Sequence, residues 1–204
     1  MRFLFLLSFC FLISFPQIVL ADANSSALER VLVVRLKGDV TSEGRKLEVG
    51  DALKIGAKIV ATGRRSYVQF QFSSGSLLML RDGELVINKI KSSRIVLDLV
   101  KGTIFSFVKK KDGNKFKVRT RNAALGIRGT KFFVMATPDD TYLCVCDGTV
   151  NIKNKKGNID VAATEDIRVS IDGDLKKASA SEQMWGLTVE GFSEMGFDIT
   201  PEKL

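Results

Sequence analysis

From about residue 31 to 172, apolar and polar positions alternate in short runs with a period of two, broken by glycine-containing turns, and no long stretch carries a helical period. Val68, Phe70 and Phe72 fall on one face while Tyr67, Gln69 and Gln71 fall on the other, as in a half-buried strand that ends at Ser73-Ser74-Gly75. Residues 77–80 and 85–87 flank Arg81-Asp82-Gly83, a pattern that predicts a hairpin. Residues 94–108 repeat the device, with Leu97 and Leu99 before Lys101-Gly102 and Phe105 and Phe107 after it. A further hairpin is predicted over 149–161, around Asn154-Lys155-Lys156-Gly157.

Gly38, Gly44, Gly50, Gly56 and Gly63 recur about every six residues. Two readings fit: a six-residue β-helix repeat, or tight turns between very short strands. The residues between these glycines do not repeat, which favours the turns. The expected fold class is therefore all-β, a β-solenoid-like or twisted-sheet stack of short strands.

After residue 172 the pattern changes to Ala, Ser, Glu and Gly around the single Trp, Trp185. Ser179-Ala180-Ser181-Glu182 can open a short helix carrying Met184, Trp185 and Leu187, while Gly186, Gly191 and Gly196 are expected to interrupt any long one. A small irregular or partly helical C-terminal tail is expected, with Trp185 or Phe192 covering a sheet face. A binding arm is the alternative.

At the other end, Met1-Arg2 precede an apolar run broken by Pro16 and closed by Ala21-Asp22-Ala23. That arrangement predicts a secretory signal peptide over 1–23, with an uncleaved membrane anchor as the alternative. The domain organisation that follows is 1–23 signal peptide, 24–172 all-β domain and 173–204 C-terminal tail. No later segment approaches spanning length, so no membrane span is expected after cleavage and the protein is expected in the periplasm.

The chain has 204 residues, with 31 Lys and Arg against 23 Asp and Glu, a formal charge of +8. Arg2 and Asp22 leave together with the leader, so the positive balance belongs to the folded part. Histidine is absent, which excludes an imidazole base, a Ser-His-Asp or Cys-His relay and a His-ligated metal. The adjacent acidic pairs Asp139-Asp140 and Glu165-Asp166 do not form a catalytic dyad, because neighbours on a strand point to opposite sides. No Gly-rich phosphate loop is present. An enzyme is not expected, and neither is a cofactor.

Cys144-Val145-Cys146 places two thiols on the same side of a strand with parallel Cβ vectors, a poor disulfide geometry. Two buried free thiols are expected, a strained or intermolecular disulfide being the alternative. A metal site would need further soft ligands, and none is expected.

The most basic segment alternates Lys115, Lys117, Arg119 and Arg121 with Phe116, Val118 and Thr120, which puts four cations on one face of an extended strand. One reading is a solvated face balanced by acids such as Asp98 or Glu84 on neighbouring strands. The other is a docking stripe for an acidic protein surface or an anionic envelope polymer, with Arg128 close by. An exported chain without interleaved exposed aromatics is not expected to bind nucleic acid.

Residues 123–134 hold Gly126-Ile127-Arg128-Gly129-Thr130, followed by a strand containing Phe133. The glycines allow a sharp turn or a close strand approach, and Phe133 is expected to anchor the new strand in the core. Together with Asp147-Gly148-Thr149-Val150 downstream, and Gly38-Asp39-Val40, residues 59–63 with Ser66, and Ser74-Gly75-Ser76 upstream, this segment resembles the periplasmic domain of the FecR family over roughly residues 32–155. The resemblance implies a non-catalytic all-β domain that serves in the envelope as a sensor or protein-interaction module. It marks Gly126, Gly129, Thr130, Phe133 and Gly148 as the structural motif, and Arg128 as either a turn brace or a partner contact. Well-known members of that family join such a domain to a cytoplasmic helical segment that holds a sigma factor; here only Met1 and Arg2 precede the apolar run, so no such segment is expected. The expected function is a stand-alone exported binding or sensor module that recognises another envelope protein. The alternative is binding of anionic glycan or peptidoglycan through the basic strand face.

Overall fold

Four strands of 12 to 15 residues set the shape, each folding across a bend. The computed structural model describes residues 30–91, 93–110, 115–179 and 181–199, so the leader expected at 1–23 lies outside the described residues. In chain order the elements are β1 (Val31–Ser42), β2 (Arg45–Lys46), β3 (Ala52–Leu53), β4 (Lys58–Phe72), β5 (Leu77–Lys91), β6 (Arg94–Val108) and β7 (Lys115–Arg119). There follow β8 (Ala124–Ile127), β9 (Thr130–Ala136), β10 (Asp140–Asp147), β11 (Thr149–Lys153), β12 (Asn158–Ala162), β13 (Glu165–Ser170), β14 (Leu175–Ser179) and α1 (Glu182–Glu194). The fold is all-β with one C-terminal helix.

The hairpins expected at Arg81-Asp82-Gly83 and Lys101-Gly102 are corrected. Both segments lie inside continuous strands, β5 and β6, where they make bends. The pairing registers of β1, β4 and β5 shift beside Gly38, Gly63 and Gly83, and that of β6 shifts beside Gly102. These four strands are neighbours, so the bends line up into one crease across the sheet. Gly102 shows why the crease needs glycine: its φ is +95°, and a Cβ there would overlap the Asp82 carbonyl and Gly83. Ser66 fills the corner from β4, its Oγ accepting from the Asp39 amide at 3.1 Å and donating to the Thr62 carbonyl at 2.6 Å.

Beyond the crease the sheet divides. The Gly102–Val108 part of β6 pairs antiparallel with β9, which leads through β10 and β13 to β14. The Arg94–Asp98 part pairs parallel with β7, which leads through β8 and β11 to β12. The chain passes between the two branches at Gly129, Gly148 and Thr164, all with positive φ. Strands that change sheet at bends are a common way to build the corners of a β-sandwich.

One core fills the space between the two halves. Val68, Phe70, Leu80, Ile104, Phe132 and Leu143 reach it from one side, and Ile59, Leu85, Leu97, Val118, Leu125 and Ile152 from the other. Each such side chain contributes roughly 1.5–3 kcal/mol on burial, so the period-two pattern drives the closure. The hairpin expected around residues 154–157 is present as β11 and β12, with the Asn154 amide donating to the Gly157 carbonyl at 3.0 Å.

The opposite face of the β9–β10 half is also apolar and carries α1. Met79, Phe105, Phe133, Tyr142, Cys144 and Cys146 pack there with Phe192, Met195 and Ile199. Ser181 caps the helix by accepting from the Met184 amide at 3.3 Å. Of the two aromatics expected to cover a sheet face, Phe192 is fully buried and meets the Phe105 ring edge-on at 5.9 Å, whereas Trp185 is half-buried. Arg81 ties the helix down from the side: it pairs with Glu190 and Glu194 and lies 5.2 Å from the Phe105 ring centre.

Candidate functional site

The short strand β7 carries the basic segment. Phe116 and Val118 enter the core, so Lys115, Lys117 and Arg119 point outward, as the alternation dictates. Arg121 lies past the end of this strand, exposed in the loop before β8, and leaves the row. Arg119 is committed to its neighbour: its Nε and Nη2 donate to the two Asp98 oxygens at 2.5 and 2.6 Å, which raises the guanidinium pKa. Asp98 thus balances one cation of the stripe, while Glu84 pairs with Lys58 at 2.8 Å.

The other end of β7 is different. Parallel pairing sets Lys115 opposite Arg94 on β6, and the antiparallel register of β8 brings Arg128 beside Lys115. Adjacent strands lie roughly 4.8 Å apart, so three cations cross three strands in one row. Lys115, Phe116, Lys117, Gly126, Ile127 and Arg128 line a shallow outer groove that continues over Thr149, Asn151 and Asp160. The Asn151 side chain donates to Asp160 at 2.6 Å, which leaves the groove basic along β7 and polar along β11 and β12.

The motif residues sit around this end of the molecule. Gly129 turns the chain from β8 into β9 with φ +63°, and Gly148 turns it from β10 into β11 with φ +84°. A Cβ on Gly148 would lie 2.6 Å from the Gly129 carbonyl and 2.8 Å from Thr130 Cγ2, so the two turns lock against each other. Gly126 is not crowded in this way, since a Cβ there would make only ordinary contacts with Asn151. Thr130 is buried. Phe133 is buried too, but beneath the helix, stacked on Phe105 at 5.1 Å, whereas Phe132 points into the core between the halves.

Cys144 and Cys146 are free, buried thiols under α1. The hydrogen bond from Cys146 lowers the Cys144 thiol against the opposing effect of burial, while the same bond and burial push the Cys146 thiol far up. Among the described residues no three His, Cys, Asp or Glu side chains converge as a metal would require. No described helix is long and apolar enough to cross a membrane.

Sequence reasoning did not place Arg94, Ser74 and Ser76 at the basic end, where strand pairing and the approach of the two halves bring them. It weighed Asp166 only as half of an adjacent acidic pair and did not foresee its burial opposite Cys144.

A crystal structure of a candidate anti-sigma factor from Parabacteroides distasonis matches with a TM-score of 0.58 at 21% identity, covering 66% of this chain and 65% of that one. At that identity the likeness is one of fold alone, and the chain spans about 65% of the length of that structure. A second candidate anti-sigma factor from the same organism aligns at 18% identity with a TM-score of 0.47, over 80% of this chain and 66% of that one. No curated protein matches. The family model described as FecR protein matches residues 58–151, which run from β4 into β11 and contain the β4, β5 and β6 bends of the crease and the basic row. The match to the FecR family model thus takes in residues 58–151, just under half of this chain.

Proposed function

We propose that this protein is an exported, non-enzymatic binding or sensor module of the cell envelope that recognises another envelope protein. FecR proteins are regulatory, signalling and non-enzymatic, and their domains are periplasmic in the family context. In this reading residues 1–23 are a leader, 24–172 form the binding domain and 173–204 are an extension packed on it. The observation that carries it is the FecR match over the segment that builds the outer groove of Lys115, Lys117 and Arg128. A basic groove with a polar far wall suits an acidic protein surface.

Crosslinking in the native envelope tests the reading, using wild type and a Lys115→Glu, Lys117→Glu double variant. A discrete adduct that the double variant loses, with an unchanged circular dichroism spectrum, is the expected result. Recovery of monomer alone at several crosslinker lengths would refute it.

A second reading is binding of an anionic cell-wall polymer through the same face. It is favoured by the row of Arg94, Lys115 and Arg128 across three adjacent strands. Binding to purified cell wall that falls steeply with salt would support this reading, because exposed charges are screened over about 8 Å at physiological ionic strength.

A further inference from the structure

Where the two halves of the sandwich part company, next to the outer groove, a narrow cleft of about 20 Å³ opens to solvent between them. One wall comes from the turn after β4 and the end of β6, the other from the start of β6, the start of β7 and the end of β8. Four cations line it: Arg94, Lys109, Lys115 and Arg128. Among the described residues, no acidic side chain lines it. Among the described residues, no carboxylate forms an ion pair with Arg94, Lys109 or Lys115.

Hydroxyl groups complete the lining. Ser76 is 2% exposed, and its Oγ accepts from the Lys109 amide at 3.1 Å, which fixes it beneath the cations. The Ser74 hydroxyl donates to it at 3.1 Å. The Lys109 side chain runs close over Gly75, whose absent Cβ would meet Lys109 Cδ at 3.4 Å. Apolar Ile95, Val108, Phe116 and Ile127 make the rest of the wall, so charge inside the cleft is only partly screened by water.

Like charges held opposite one another on neighbouring strands destabilise the pairing. Here Arg94 faces Lys115 directly, and Lys109 approaches from the other half of the sandwich. An anion seated among them removes that repulsion and gains charge-assisted hydrogen bonds. The planar guanidinium of Arg94 matches two oxygens of one tetrahedral group, and the lysines add point charges.

We infer that the mouth of this cleft is a binding site for a phosphate-type oxyanion, with the exposed Arg94 and Lys115 as its main ligands and the Ser76 hydroxyl beneath them. The anion is either free or carried on a phosphorylated lipid headgroup. The inference goes beyond the proposed protein recognition and needs no protein partner, so either can fail without the other.

The test uses purified protein and inorganic phosphate. Isothermal titration and thermal shift are compared with sodium chloride at matched ionic strength, for wild type, Arg94→Gln, Lys115→Gln and the distant control Lys176→Gln. Phosphate should bind wild type and Lys176→Gln alike, and each cleft variant should weaken it by about tenfold, as expected for a lost charge-assisted bond. Both cleft positions are exposed, and circular dichroism checks that each variant folds. A second arm floats the protein with vesicles of phosphatidic acid in phosphatidylcholine. Flotation that phosphate competes away, and that Arg94→Gln and Lys115→Gln reduce, assigns the headgroup; phosphate binding without flotation assigns the free anion. Equal shifts in phosphate and chloride, or an equal loss from Lys176→Gln, would overturn the site.

Discussion

Asp166 offers the sharpest test of how α1 and the sheet beneath it share a buried polar group. It is 1% exposed, sits opposite Cys144 on one side and Ala178 on the other, and neither carboxylate oxygen has a hydrogen-bond partner among the described residues. Burial pushes its carboxyl up to about 6 from the ordinary 3.8. One pKa unit corresponds to about 1.4 kcal/mol, so ionised Asp166 costs the folded state about 3 kcal/mol above pH 6. The sign follows from the protons bound. Between pH 4 and 6 the native protein holds a proton that the unfolded chain has released, so this group's contribution to stability is full below pH 4 and is lost as pH rises through 6. Asp166→Asn removes the titration while keeping the side-chain shape. Urea unfolding, followed by the fluorescence of Trp185, should give a variant-minus-wild-type difference that grows by up to about 3 kcal/mol in the variant's favour between pH 4 and 7.5. Any fixed cost of burying the amide shifts both ends equally, so the slope is what is tested. A difference independent of pH would refute the buried, unpartnered carboxyl.

The crease makes its own forecast. Gly102→Ala combines a φ of +95° with overlap on Asp82 and Gly83, and should destabilise by at least about 2 kcal/mol, whereas Gly126→Ala should change little; chemical denaturation of the two decides it. Beneath the helix, a Cβ on Gly191 would overlap the Phe105 ring, so Gly191→Ala should loosen α1 while sparing the sheet. Hydrogen exchange that rises across residues 182–194 and stays unchanged across β5 and β6 is the expected reading, and uniform exchange would contradict it. Replacing Arg119 with Gln breaks an exposed pair with Asp98 and should cost no more than about 1 kcal/mol, measured by the same denaturation.

Much of this molecule is written locally. Alternation alone determined which side of each strand is buried: Val68, Phe70 and Phe72 inward, and Lys115, Lys117 and Arg119 outward. It also determined the all-β class and the hairpin at residues 154–157, because each depends on residues within a few positions of one another, whereas the choice between Trp185 and Phe192 as the aromatic on the sheet fell to the tertiary packing. The bends at Asp82-Gly83 and Lys101-Gly102 could not be told from hairpin turns, because a positive-φ glycine serves both and only the partner strand decides whether the chain reverses or creases.

The basic row is also a tertiary product. Lys115 meets Arg94 through a parallel pairing of strands, and meets Lys109 and Ser76 through the closing of one sheet half over the other. No period along the chain encodes that meeting, since the residues come from four separate segments. The burial of Asp166 is tertiary too: it lies opposite Cys144, which packs in the apolar cluster with a helix some twenty residues downstream.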